Sequence, residues 1–342
     1  MIRSFHFSLP FRIIILFAIF PLPTFSQIDP NKKVDEIISE GVQQILLQNY
    51  PAADSIFSHI KWIEKNNPMS ELMHASIMIS KVTDFEDELD KTEFEKLLNS
   101  AEEKIENNSI HNSRKKYYYG LLHGFRAFAG WYQGNWFKTF TEGYRALNFF
   151  EAYLENERDA NDAQIAIGIY KYWRSRKSEI LSWLPFLSDE KPKGIAMIEK
   201  GLSGETYFKH LAMHSLAWIY IDYKTPIKAI KICEDILAKY PENRFFLWAI
   251  ARAYEEIDSK KSVIFYSKLL QSIRNAKMNG YNEIVVLHIL AQKNFEIGSY
   301  EGALKNIENI YSINLEASVR ERLAARFNKI SSLRKSIYEL TK

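Results

Sequence analysis

Apolar residues recur every three or four positions along most of the chain after residue 30. Met213, Leu216, Ala217 and Tyr220 form one such stripe. Pro226 and Ile227 interrupt it, and Ala229, Cys233, Ile236 and Leu237 form a second that stops at Lys239-Tyr240-Pro241. This spacing is one face of an α-helix, so the segment predicts two helices joined by a turn. The pattern then repeats. Leu247, Ile250, Ala251 and Tyr254 are followed by Ser262, Tyr266 and Leu269; Leu287, Leu290 and Ala291 by the turn Gly298-Ser299-Tyr300 and then Ala303, Ile307 and Ile310. A last helix, Ala317 to Leu340, is charged on one side and would cap the array.

Leu216-Ala217 and Tyr220 fall on Ile250-Ala251 and Tyr254 at an offset of 34 residues, with Pro241 between the units. The small residues Ala217 and Ala229 let paired helices approach closely. Near the front, Gly41, Tyr50, Ala53, Phe57 and Ile60 match the same pattern across Val34 to Pro68. A 34-residue helix-turn-helix period of this kind resembles the tetratricopeptide repeat (TPR) superfamily. The resemblance implies an all-α fold, a right-handed superhelical α-solenoid of TPR-like antiparallel helix pairs. Departures are local. Pro226 and Asn294 stand where aromatics are usual, the second helix after Tyr254 starts one residue early, and Gln271 to Tyr281 must hold an insertion. The regular units occupy 210–342, and 27–209 is a TPR-like and divergent helical region.

Within that divergent region, Asp84 to Glu106 carries ten acids against three lysines, which predicts a solvated helix pair with an acidic outer face. Tyr117 to Phe150 is densely aromatic and contains Gly120, Gly124, Gly130 and Gly134, as expected of aromatic helices packed closely through glycine. Asp162 to Tyr170, with Trp183-Leu184-Pro185, Gly194 and Gly201, loosely resembles the middle of the tetratricopeptide repeat protein 39 type of family, which is not credited with a catalytic site.

The first 26 residues break the pattern. Arg3, His6 and Arg12 precede an apolar run from Ile13 to Phe20, and Thr24-Phe25-Ser26 ends the segment. The run is too short to span a bilayer and has the layout of a cleaved export signal, giving a mature start at Gln27 and a place in the bacterial periplasm or cell envelope. No later stretch is long and apolar enough to cross a membrane. Losing the segment lowers the net charge from +3 to +1, which offers no electrostatic case for nucleic acid. The single Cys233 cannot form an internal disulfide and occupies a core slot of the repeat.

Candidate chemistry is sparse. His210 and His214 share a helix face, but two imidazoles fall short of the three or four ligands zinc takes, so no metal or other cofactor is implied. Glu255-Glu256 and Glu102-Glu103 are adjacent and point about 100° apart on a helix, too divergent for an acid/base pair. No phosphate loop, nucleophile elbow or Cys/His arrangement occurs, and the chain is not expected to be an enzyme. Lys171, Arg174, Arg176 and Lys177 form a basic cluster among Tyr170, Tyr172 and Trp173; intramolecular pairing, against the acidic 84–106 region or with solvent, outweighs base stacking there.

The TPR resemblance implies a groove lined by the first helix of each unit. Carried over position by position, it comprises His214, Trp218 and Asp222; Trp248, Arg252, Glu255 and Glu256; and His288, Gln292, Phe295 and Glu296. Tryptophan beside arginine suits a binding hot spot, although the tryptophans could equally pack between repeats. The expected function is a non-catalytic scaffold that binds a protein or peptide in this groove, in association with envelope complexes. The alternative is a carbohydrate-like small ligand held by the aromatics of Tyr117 to Phe150.

Overall fold

The computed structural model describes residues 31–107, 112–157, 160–178, 189–204, 206 and 209–341. The export signal and Trp183-Leu184-Pro185 lie outside the described residues. Helices account for the regular structure, and there is no strand among the described residues. The chain divides into two compact units, Met1–Lys81 with Glu88–Ile219, and Val82–Asp87 with Tyr220–Lys342.

The first unit contains α1 (Lys32–Leu46), α2 (Tyr50–Ser58), the single turn α3 (Ile60–Ile63) and most of α4 (Met69–Phe85). It continues with α5 (Lys91–Asn107), α6 (Asn112–Tyr132), α7 (Trp136–Leu154), α8 (Asn161–Ser178), α9 (Lys191–Leu202) and the larger part of α10 (Lys209–Asp222). The second unit holds the end of α4 together with α11 (Pro226–Leu237), α12 (Arg244–Tyr254), α13 (Ser259–Asn275), α14 (Tyr281–Glu296), α15 (Tyr300–Ser312), α16 (Ala317–Arg322) and α17 (Ala324–Leu340).

Helices α12 and α13 pair antiparallel. Along α12 and α13 the Ser262 hydroxyl donates to the Ala251 carbonyl (3.0 Å), Trp248 meets Tyr266 edge-on at 6.0 Å, and the Ser272 hydroxyl donates to the Glu242 carbonyl (2.7 Å). One index falls as the other rises, which only an antiparallel pair produces.

Four turns share one geometry. Gln48, Gly134, Lys224 and Gly298 each adopt a left-handed backbone, with φ of 59°, 72°, 59° and 79°. In each, the next residue's N–H donates to a carbonyl five residues back: Asn49 to Gln44, Asn135 to Gly130, Thr225 to Tyr220 and Ser299 to Asn294, at 2.8–2.9 Å. This is the Schellman end of one helix, and it delivers the chain directly into the next. Seven residues before each left-handed residue stands a buried small one: Gly41, Ala127, Ala217 and Ala291. Nine residues after it stands another buried one: Phe57, Gly143, Cys233 and Ile307. The turn and its flanking core therefore define a TPR-like hairpin at α1–α2, α6–α7 and α14–α15, and the same turn joins the end of α10 to α11. The α6–α7 hairpin lies in the region where sequence likeness fades.

Several expectations are corrected in detail. The 84–106 segment is not a solvated helix pair: it comprises the last turn of α4, a bend, and the single helix α5, which buries Phe94, Leu98, Ala101 and Ile105. The insertion between Gln271 and Tyr281 is absorbed by running α13 on to Asn275 before Gly280, at φ 84°, opens α14. The terminal helix breaks at Leu323, and its narrow buried seam is Val319, Leu323, Ile330 and Ile337.

The second unit is keyed together by polar groups. The Arg244 guanidinium donates through Nε to Asp84 Oδ1 (2.7 Å), makes a second contact to Oδ2, and lies over the Phe85 ring. Asp84 and Arg244 are 4% and 7% exposed. The Asn282 amide donates to the Asp84 carbonyl (2.8 Å), Asn279 to Asp87 Oδ1 (2.7 Å), and Arg322 to Glu86 Oε2 (3.4 Å). One of the last-turn carbonyls that a helix leaves unpaired is thus satisfied by a side chain some 198 residues away.

In the first unit the corresponding close fit is made by glycine. A Cβ on Gly168 would lie 2.6 Å from the Gly194 carbonyl oxygen, and one on Gly194 would lie 2.5 Å from that of Gly168, so α8 and α9 touch backbone to backbone. A methyl on Gly120 would overlap the Phe150 ring in the same way between α6 and α7. The expectation of aromatic helices closed through glycine holds here.

Candidate functional site

The groove positions inferred from the repeat fall into two groups. His214, Trp218, Trp248 and His288 are interior residues, with Trp218 only 1% exposed. Trp218 Nε1–H donates to His214 Nε2 (2.9 Å), Trp248 packs against Tyr266, and Arg326 donates to His288 Nδ1 (3.0 Å). Burial pushes the His288 pKa down to about 4, helped by Arg326 and Lys329. These four side chains do not line an open surface, because each completes the packing of its own or a neighbouring helix. His214 and Trp218 also belong to the first unit, whereas the other nine belong to the second.

The remaining members are reachable but engaged. Arg252 pairs with Glu255, which also accepts from the Tyr266 hydroxyl (2.5 Å), and Glu256 pairs with Lys224 (2.5 Å). Burial and the Glu255 carboxylate hold the Tyr266 hydroxyl well above its ordinary pKa. Phe295 rests on Tyr300, Glu296 pairs with Lys293 (2.8 Å), Gln292 is exposed and Asp222 is half-buried. The carboxylate pairs set aside on spacing are thereby accounted for; Glu102 is likewise bound by Arg126, whose hydrogen bond lowers its pKa. Cys233 is fully buried, and desolvation raises its thiol pKa.

Two members of the basic cluster, Lys171 and Arg174, are paired within the first unit. Lys171 lies between Glu151 (3.5 Å) and Glu190 (3.4 Å), and Arg174 pairs with Glu190 as well. Tyr172 and Trp173 are core residues.

What sequence reading missed is the outer face of α7. Trp136, Phe137, Phe140 and Tyr144 are all exposed, Phe137 to 83%, although their spacing of three, four and seven is the spacing of a helix core. The signal available in the sequence was that spacing itself. It was masked by the general aromaticity of Tyr117 to Phe150, where Tyr117, Tyr118, Phe125 and Phe128 do form core. Asn135 caps α7 by accepting from the Lys138 N–H (3.0 Å), which fixes where the row begins.

Beside this row lies the second half of α8. A Cβ on Gly143 would sit 3.0 Å from the Tyr170 ring, and the Lys177 ammonium stands 4.8 Å over the Trp136 ring. Arg174 lies over Tyr170 at 5.8 Å. A shallow apolar notch opens between the helices, lined by Gly143, Ala146, Ala166, Ile167 and Tyr170, with Gly124, Leu147 and Phe150 at its back. The arrangement can grip an apolar side chain and stack planar groups; it carries no nucleophile beside a base.

No protein-family model matches the sequence, and no curated protein matches it. Among solved structures, the chain is similar to the C-terminal part of a TPR repeat-containing protein from Cytophaga hutchinsonii, at 16% identity over 82% of this chain and 97% of that one, with a TM-score of 0.42. It is also similar to the human IFIT1 dimer with m7Gppp-AAAA, at 13% identity over 94% and 83%, with a TM-score of 0.36. The description of this chain as TPR-like helix pairs rests on its own turns and core positions.

Proposed function

We propose that this protein is a non-catalytic binding scaffold, exported to the periplasm or cell envelope of a bacterium, that holds a protein partner against its helical surface. One observation carries the reading. Four aromatic side chains stand exposed in one row on α7, where a helix not intended for contact would present polar residues. Aromatic side chains supply large contact area at low entropic cost, and they dominate binding hot spots.

The accessible groove positions, Asp222, Arg252, Glu255, Glu256, Gln292, Phe295 and Glu296, are the competing surface. Their charges are already paired, so a partner would have to replace existing bonds to use them. The carbohydrate alternative draws on the same α7 row, because aromatic faces stack on sugar rings and the inner aromatics are enclosed.

A photo-crosslinking residue placed at Phe140, and separately at Phe295, tests the surfaces in intact cells. Specific adducts from Phe140 and none from Phe295 are expected. Recovery of the same partners from a Phe137→Ser, Phe140→Ser variant as from the wild type defeats the α7 assignment. A thermal shift with a glycan and none with envelope proteins moves the reading to the sugar. Amino-terminal sequencing of the exported chain checks the start at Gln27.

A further inference from the structure

We infer that one flank of the terminal helix α17, in the second unit, is a docking site for an acidic segment of a protein partner. This site lies on a different surface from the α7 row and stands without that assignment. Charge is gathered here. Across α16 and α17 six Lys and Arg stand against two Glu, a balance of +4, while the rest of the chain holds 39 cations against 40 acids. The near-neutral total hides a basic end.

Two of those arginines rest on a row of rings. Arg320 lies 5.5 Å over Phe327, Phe327 meets Tyr311 of α15 at 6.3 Å, and Arg334 lies 5.8 Å over Tyr311 and 5.5 Å over Tyr338. Arg334 also donates to the Tyr338 hydroxyl (3.4 Å). Arg320, Tyr311, Arg334 and Tyr338 are all exposed. Neither arginine forms an ion pair among the described residues, and Glu308 acts on Arg334 only from further away. Arg322, by contrast, is paired with Glu86 and Lys335 with Glu339. Helical spacing puts Phe327, Arg334 and Tyr338 on one side of the Ile330–Ile337 seam. Arg326 and Lys329 fall on the other side, where Arg326 donates to His288. The site is therefore one flank of the helix and not its whole circumference.

The chemistry of that flank selects carboxylates. A guanidinium resting on a ring has less freedom to lose, and its planar fork of N–H donors stays available at the edge. A carboxylate fits that edge with two parallel hydrogen bonds. The contacts run arginine, ring, ring, arginine, so the matching segment presents an apolar side chain between acidic ones. A nucleobase needs an open ring face, and here a guanidinium already covers one face of each of the three rings. A flat anionic membrane would meet the pole of α17 opposite the seam. That pole carries Asn328, Ser332 and Glu339, with no large apolar side chain to insert.

The test uses the full chain and two short labelled peptides: one alternates glutamate pairs with leucine, and its twin has glutamine at every glutamate. The acidic peptide is expected to bind roughly tenfold more tightly or better, with affinity falling as salt rises. Arg320→Gln with Arg334→Gln is expected to remove that advantage, while Lys329→Gln, the same kind of charge loss on the opposite flank, leaves it in place. Arg334→Lys keeps the charge and loses the fork, and is expected to weaken binding several-fold. Circular dichroism melting curves check that each variant stays folded; should the double variant not fold, Arg334→Lys decides. Equal binding of the two peptides, binding of neither, or a loss in Lys329→Gln as large as in the double variant overturns the inference. So does tighter binding of single-stranded RNA or of phosphatidylglycerol vesicles than of the acidic peptide. The Phe137→Ser, Phe140→Ser variant is expected to bind the acidic peptide as the wild type does; loss of binding there places the peptide on α7 and overturns the α17 site alone.

Discussion

The second unit and the α6–α9 part of the first solve the same problem, holding antiparallel helices at close range, with opposite materials. In the second unit, charged and amide side chains reach across long stretches of sequence: Arg244 to Asp84, Asn282 to the Asp84 carbonyl, Asn279 to Asp87. In α6–α9 the closest helix contacts are made at glycine, which brings α8 against α9 and a phenylalanine ring against α6, alongside one buried polar pair, His123 with Glu142. A buried ion pair is sensitive to loss of either partner because the other is left charged and dry. A glycine contact is sensitive only to addition. The two regions should therefore fail under different kinds of substitution.

The largest expected effect is on the polar side. Arg244→Met leaves the Asp84 carboxylate buried without its cation and is expected to destabilise the second unit by about 3–5 kcal/mol in denaturant titration. Adding Asp84→Asn should recover most of that loss; no recovery would mean that the guanidinium's contact with Phe85 matters more than the charge. Next comes the glycine side. Gly194→Val forces a side chain toward the Gly168 carbonyl and is expected to cost about 1–3 kcal/mol in the same titration.

A pH titration probes the interior of the second unit. His288 has its pKa pushed down to about 4 by burial, so as pH falls the unfolded chain takes up a proton first, from its ordinary value near 6.5. Stability of the second unit is expected to drop between about pH 6.5 and 4, by on the order of 3 kcal/mol, and this particular loss to level off below that window. His288→Gln should flatten that slope; an unchanged slope assigns it to other groups. The smallest expected change in stability, within about 0.5 kcal/mol, is for Phe137→Ser with Phe140→Ser, because exposed positions contribute little to folding. A large loss there would mean that the α7 row belongs to the packing of the first unit and not to a contact surface.

The helices themselves were legible because core residues recur at helical spacing, most cleanly at Leu216, Ala217, Tyr220, Ala229 and Cys233. The α6–α7 hairpin was hidden by its composition. Thr139 stands five residues after the left-handed residue where the other turns have Ala53, Ala229 and Ala303, and Gly143 stands where they have Phe57, Cys233 and Ile307. Its Gly134-Asn135-Trp136 turn nevertheless parallels Gly298-Ser299-Tyr300. The groove set was harder. A repeat position says which way a Cα faces, but His214 and Trp218 bond to each other and Trp248 finds Tyr266, and such partners belong to tertiary packing. Long-range keys such as Arg244 with Asp84, 160 residues apart, leave no periodic trace.

The four left-handed turns also bear on how this chain could be hardened against heat. Two of them use glycine, but Lys224 sits at φ 59° on the surface, a conformation that costs an L-residue roughly 1–2 kcal/mol. Its exposed ion pair with Glu256 returns about 0–1 kcal/mol. Lys224→Gly gives up that pair and adds about 0.5–1 kcal/mol of chain entropy to the unfolded state, yet it relieves the backbone at a point remote in sequence from both the α7 row and the Asp84 clamp. The turn that sets the repeat's geometry is thus also a site for engineering, where a thermostable variant can be sought without altering the proposed contact face.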